Sequence, residues 1–271
     1  MEETAAPLAI GALIIGDEIL SGKRQDKHLP HVIETLGARG LELAYVHYAG
    51  DDRGRLTALL RDSFARGDLL FCFGGIGATP DDHTRQCAAA ALGVPLTLHP
   101  QARDLILERM RDTAREQGVV FEPGRHDNVH RLNMGVFPEG AQIIPNPYNK
   151  IAGFSVRDVH FVPGFPVMAW PMIEWVLDQH YAKLHGQGAQ CEKSVIVFGA
   201  MEATLTPLME RIEAQFAGVK VFSLPSVDHP QWGRHIELGV KGKAELLDAP
   251  YRELITGLTS HGASLGPELV R

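Results

Sequence analysis

Cysteine is scarce in this 271-residue chain: Cys72, Cys87 and Cys191 stand far apart and form no C-x-x-C pair. An odd, widely spaced set argues against a disulfide framework or a zinc ribbon and suits a reducing cytoplasm. Long apolar runs are also missing. Pro7–Ile15 and Leu69–Phe73 are the longest, far short of the ~20 residues that span a bilayer, so no membrane association is expected. The start, Met-Glu-Glu-Thr, lacks the basic segment of a secretory leader, so a cytoplasmic location is expected. Basic residues do not dominate: 26 Lys and Arg face 33 Asp and Glu, a formal net charge of −7, which argues against nucleic acid as a partner. No G-x-S-x-G elbow and no cysteine flanked by activating residues appears, which argues against covalent catalysis.

What remains is an ordinary globular composition, 45% apolar and 22% charged, on a chain long enough for two cores. The first 180 or so residues alternate strand-like and helical patterns. Leu8–Ile15 reads as a strand buried on both faces, followed by a helix from about Asp26 to Arg39. A strand over Leu41–Tyr48, a helix to about Arg66, a strand over Asp68–Phe73, and helices over Thr84–Leu92 and Gln101–Gln117 come next. Leu132–Ile144 suggests a short antiparallel excursion, Gly153–Val162 the last strand and Pro166–His180 the last helix. The order predicts an α/β, three-layer domain over residues 1–184 with a mostly parallel sheet. His185–Gln190 has the composition of a linker. Residues 191–271 read as a small α+β domain of order β-α-β-β-α: strands over Ser194–Phe198, Val219–Leu224 and His235–Val240, helices over Ala203–Phe216 and Ala244–Thr259.

Open parallel sheets bind ligands where strands end and loops begin. Four such places carry unusual residues: Gly16-Asp17-Glu18, Gly50-Asp51-Asp52, the run Gly74-Gly75-Ile76-Gly77-Ala78-Thr79-Pro80-Asp81-Asp82-His83-Thr84, and Pro163-Gly164-Phe165-Pro166. The third is the strongest. Three glycines in four residues let the backbone turn tightly and offer several N–H groups to one anion. The helix that follows adds its positive end. Asp81 and Asp82 would repel a bare phosphate, and make sense if a divalent cation such as Mg²⁺ bridges them to the ligand. The spacing is neither G-x-G-x-x-G nor G-x-x-x-x-G-K-[ST], so dinucleotide-fingerprint and P-loop readings fall. Each feature has a plainer reading too: a Gly-Gly turn is often only a turn, and Asp51 or Asp52 reads first as a helix cap. Asp17 ends a buried strand with no helix to cap at once, which favours a site role. Thirteen histidines include His126 and His130, four apart, but Pro123, Gly124 and Asn128 argue against a helix there, and hence against a metal pair.

These motifs, in this order and spacing, resemble the molybdopterin-binding domain of the competence/damage-inducible protein A (CinA) family, related to the MogA and MoaB proteins of molybdenum-cofactor biosynthesis. The resemblance covers about residues 8–180. Residues 191–262 resemble the small middle domain of CinA-type chains, with Gly199-Ala200-Met201-Glu202 where Gly-x-x-Glu-Ser is usual; their C-terminal amidase domain has no counterpart here. It implies a small, phosphate-bearing, nucleotide- or molybdopterin-like ligand and a homo-oligomer. It also implies metal-dependent ADP-ribose pyrophosphatase or nucleotidyl-transfer chemistry, with a non-catalytic binding or assembly protein as the alternative. On that pattern Asp17, Asp81 and Asp82 would hold the metal, and Asp51 and Asp81 would serve catalysis. Gly16, Gly74, Gly75, Gly77, Thr79, Thr84, Pro163 and Gly164 would surround the phosphate. The sequence departs from the pattern elsewhere. Asn149-Lys150-Ile151-Ala152-Gly153 replaces the usual Gly-Thr-Ala-Pro-Gly, Asn133-Met134 replaces Lys-Gln, and Met168 replaces a Glu. Lys150 is the expected substitute phosphate-binding cation.

Overall fold

The computed structural model describes residues 8–186 and 190–271. They form two compact units that divide between His185 and Gly186. Of the expected linker, residues 187–189 lie outside the described residues.

In the first unit, strand β1 (Ile10–Ile15) is followed by a one-turn helix α1 (Asp17–Leu20), then α2 (His28–Gly37), β2 (Tyr45–Ala49), α3 (Arg53–Arg66), β3 (Leu69–Phe73) and α4 (Thr84–Leu92). Next come β4 (Leu96–Leu98), α5 (Pro100–Glu116), α6 (His126–Leu132), β5 (Val136–Pro138), β6 (Gln142–Ile144), β7 (Gly153–Val156), β8 (Val159–Val162) and α7 (Pro166–His180). Six strands make one sheet in the order β2-β1-β3-β8-β7-β6. The first four are parallel, β7 runs antiparallel to β8, and β6 antiparallel to β7. A separate ladder joins β4 to β5.

Alternation along β1 and β3 explains the three layers. Ile10, Ala12, Ile14, Leu69, Phe71 and Phe73 pack toward α2 and α7, burying Val32, Leu36, Met172 and Val176. Leu13, Ile15, Leu70 and Cys72 face the other way, against Leu56, Leu60 and Phe64 of α3 and Ala88 of α4. A strand apolar on both faces thus serves two cores, as a parallel sheet between helix layers requires.

The structure corrects four readings. β2 starts at Tyr45, not Leu41. Asp17 does open a helix, though one of only four residues. The segment 153–162 is a hairpin: Arg157 turns the chain at φ 52°, a conformation that no glycine or asparagine signals. His126–Leu132 is helical, because its turns bury Asn128, whose amide donates to the Glu122 carbonyl at 2.7 Å.

The second unit contains β9 (Cys191–Phe198), α8 (Glu202–Gln215), β10 (Lys220–His229), β11 (Gly233–Gly242), α9 (Asp248–Ser260) and β12 (Ser264–Val270). Its antiparallel sheet runs β10-β11-β9-β12, so the order is β-α-β-β-α-β, one strand more than expected. Pro267 hides β12 from pattern reading. An edge strand tolerates a proline, and the pairing with β9 shifts register between Leu265 and Glu268. Pro225 sits on the opposite edge strand for the same reason. Val195, Val197, Leu238 and Val240 pack against Leu208, Ile212, Leu254 and Leu258 as a core of its own.

Candidate functional site

Parallel strands β1, β2, β3 and β8 end at the same edge of the sheet, and their loops surround a cleft of about 420 Å³. Of the expected site residues, Gly16, Asp51, Gly74, Gly75, Gly77, Thr79, Asp81, Asp82, Pro163 and Gly164 line it. Asp17, Thr84 and Lys150 do not.

Asp17 is a brace between loops. Its backbone N–H donates to Asp51 Oδ2 at 3.1 Å, and Asp51 N–H donates to Asp17 Oδ1 at 3.3 Å. Asp52 is the cap of α3, accepting from Arg55 N at 2.7 Å. Thr84 is fully buried, and its hydroxyl donates to the Gly74 carbonyl at 3.2 Å. Lys150 turns away from the cleft. Its ammonium donates to Glu108 at 2.6 Å and Asp112 at 2.7 Å on α5, and these partners raise its pKa. The cation that does line the cleft is Arg24, 3.9 Å from Glu18. Sequence reading passed it over because it lies six residues beyond the strand-end motif.

The glycine loop is shaped by what lies behind it. Gly75 has φ 68°, and a Cβ there would collide with the Thr84 hydroxyl. Gly77 lets the Asp82 carboxylate fold onto its Cα, since a Cβ would meet Asp82 Oδ2 at 2.5 Å. That same oxygen accepts from Thr79 N at 2.8 Å and Thr79 Oγ1 at 2.6 Å, so Asp82 braces the loop tip.

Arg85, which the sequence reading did not single out, sets the direction of the loop's amides. It is 4% exposed, and burial lowers its pKa. Its guanidinium donates to the carbonyls of Ile76 and of Gly77, the latter at 2.7 Å. A trans peptide points its N–H opposite to its C=O. Carbonyls held by Arg85 therefore send the N–H groups of Gly77 and Ala78 to the other side. Both residues line the cleft. Among the described residues, neither N–H donates to a protein acceptor. Two adjacent unpaired donors in front of a buried cation make an anion-binding concavity.

Negative charge lines the same cleft. Burial raises the Asp51 pKa, reinforced by the charges of Asp17, Asp81 and Glu18, although the hydrogen bond from Asp17 N–H opposes the rise. Asp81 is held below the ordinary carboxylate range by Thr79 beside it and by its own backbone N–H, although the Thr79 hydroxyl hydrogen itself goes to Asp82. The expected metal set of Asp17, Asp81 and Asp82 does not converge. Among the described residues, no three His, Cys, Asp or Glu side chains are placed to hold an ion. His126 and His130 do meet, ring nitrogens 3.3 Å apart, but as an exposed pair.

The remaining wall is self-satisfied. Asn146, 5% exposed, donates to Asn149 Oδ1 at 2.8 Å and to the Ile151 carbonyl at 2.9 Å. Asn149 Oδ1 also accepts from Ile151 N at 3.0 Å, and its amide approaches Met168 Sδ at 3.3 Å. Lys150 holds φ 66° to complete the turn. Met134, Ile151 and Met168 line the cleft beside it, so this side offers chiefly apolar surface.

Comparison with known proteins places these features. A family model described as a probable molybdopterin binding domain matches residues 11–183. A CinA-like protein of Anaeromyxobacter sp. (strain Fw109-5) is 35% identical over 183 residues, 66% of this chain and 42% of its own length. This chain thus spans less than half of the CinA-like relatives of that genus. A protein of Caldivirga maquilingensis is 27% identical over 266 residues, 94% of this chain and 97% of its own. The crystal structure of a CinA protein of unknown function from Thermoplasma acidophilum shares the fold. It has a TM-score of 0.52 at 22% identity, over 63% of this chain and 96% of that one. No helix among the described residues is long and apolar enough to cross a membrane.

Proposed function

Because this chain belongs to the molybdopterin-binding domain family, we propose that its cleft binds a phosphate-bearing ligand of molybdopterin or nucleotide type, with the phosphate on the N–H groups of Gly77 and Ala78. The observation that carries this reading is the Arg85 guanidinium behind the loop, which turns both donors toward the cleft. Arg24 supplies a second charge at the rim.

Asp51 and Asp81 face the same cleft and lie close enough for the charge of Asp81 to act on Asp51. Two carboxylates are no cage, but Mg²⁺ is commonly held by one or two carboxylates with phosphate oxygens and waters completing its shell. Bound there, the ion would neutralise phosphate charge. Asp51 would then orient a water toward the phosphate.

Binding with little turnover is favoured over efficient hydrolysis by the asparagine-braced wall. Its polar groups are spent on one another, and Met134 and Met168 present no hydrogen-bonding group to a reacting phosphate. Losing one transition-state donor lowers rates about 10²–10³-fold. Calorimetry with AMP and ADP-ribose, with and without Mg²⁺, beside a turnover assay on ADP-ribose, tests both halves. Saturable binding with slow or no hydrolysis is expected. Absence of binding to either compound defeats the reading, and rapid hydrolysis defeats its second half.

A further inference from the structure

A second pocket, of about 250 Å³, lies against the same loop and shares Ala78, Thr79 and Asp82 with the cleft. Its wall is made largely of hydrogen-bond donors: Arg53, His83, Arg85, Gln86 and Asn133. The tautomer of His83 follows from its partner. Arg53 has no acceptor and donates to His83 Nδ1 at 3.0 Å, so Nδ1 is unprotonated and Nε2 carries the hydrogen. Asn133 and Gln86 each add an amide. Arg85 forms the floor, nine-tenths buried, with its hydrogen bonds going to neutral carbonyls.

Charge balance points the same way. Among the described residues, neither Arg53 nor Arg85 has a carboxylate within 4.0 Å, whereas Arg39, Arg66, Arg125 and Arg271 each do. The acid on the wall is Asp82, and its Oδ2 is occupied by the two donors of Thr79. In a chain with seven more acidic than basic charges, this concavity holds two arginines without an ion pair and one acid, Asp82, whose charge acts on Arg85, leaving a local excess of positive charge. Guanidinium groups match phosphate oxygens in geometry as well as charge.

We propose that this pocket is a second anion subsite, taking a phosphate group through Arg53, His83 Nε2–H and the amides of Gln86 and Asn133, with the charge of Arg85 beneath. Its place in ligand recognition rests on the reading that the loop's other face also holds phosphate. The loop tip at Thr79 then parts two phosphate positions, and the ligand class narrows to diphosphates or to a monophosphate that binds beside free phosphate.

Amide and arginine side-chain NMR spectra of the ¹⁵N-labelled full chain test it. Sodium phosphate is titrated against sodium chloride at matched ionic strength. Saturable shifts at His83, Gln86 and Arg53 Nε are expected, separate from those at Gly77 and Ala78. Arg53→Gln should weaken the first set at least tenfold, as expected for a lost charge-assisted contact, and leave the second in place. His83→Ala gives an independent weakening should Arg53→Gln perturb α3. Shifts confined to Gly77 and Ala78 overturn the subsite and spare the cleft. Shifts confined to the pocket overturn the cleft reading and spare the subsite. Shifts that never saturate, or that Arg53→Gln leaves unchanged, mean an adventitious ion only and also overturn it. ADP binding at least tenfold tighter than AMP, with both sets saturating together, identifies the group as the ligand's own second phosphate. Equal affinities, with orthophosphate filling the pocket, identify free phosphate.

Discussion

Asp51 pays for its position with a disfavoured charge: burial and three neighbouring carboxylates raise its pKa above that of the unfolded chain. A raised carboxyl pKa means the folded state prefers the proton. Its contribution to stability is full below the ordinary carboxylate pKa and is lost as pH rises through the raised value. Asp51→Asn keeps an acceptor for the Asp17 N–H and removes the charge. It should raise the melting temperature at pH 7 by about 1–3 °C, consistent with a fraction of a kcal/mol, and give no gain at pH 3. A gain equal at both pH values would mean that charge is not the cause. Lys150 separates expectation from placement. Sequence reading put it at the phosphate because it brings a long cation into the segment that replaces Gly-Thr-Ala-Pro-Gly. Nothing in the pattern showed that Glu108 and Asp112, about forty residues upstream, would take its ammonium. Lys150→Ala should leave phosphate affinity within twofold of wild type. Its loss of solvent-screened ion pairs should leave the denaturant midpoint nearly unchanged.

At the scale of elements, the cleft was legible because parallel strands must deliver their ends to one edge, and each end carried Gly with Asp or Pro. The glycine loop was legible as a turn. Why it needs glycine was not, because the causes are the Thr84 hydroxyl and the Asp82 carboxylate folding back from later residues. Arg85 was hidden by its setting in an alanine-rich helix, where an arginine reads as a solvated side chain. The asparagine wall was hidden because Asn146 and Asn149 look like loop residues until their bonds are traced. Arg85→Met keeps the volume of the side chain and frees the Ile76 and Gly77 carbonyls. It should preserve the circular dichroism spectrum and weaken phosphate binding in the cleft by about tenfold. Arg85→Lys should recover part of that loss, because a lysine supplies the charge without the fork. Full affinity in Arg85→Met would remove its role in aiming the amides.

Over the whole molecule, the two units were legible from the change of pattern after residue 180, and the last strand was missed through its proline. Each unit has its own apolar core, and the cleft draws its residues from the first alone. Residues 1–185 produced alone should therefore unfold cooperatively and bind AMP within threefold of the full chain. A fragment that aggregates or fails to bind would show that the second unit is needed for the first. The central claim is tested most directly by a crystal structure of the protein with AMP. The account predicts the phosphate within about 2.7–3.1 Å of the Gly77 and Ala78 backbone nitrogens, with Arg85 still on the carbonyls behind them. AMP bound with its phosphate elsewhere and those two amides unoccupied would contradict it.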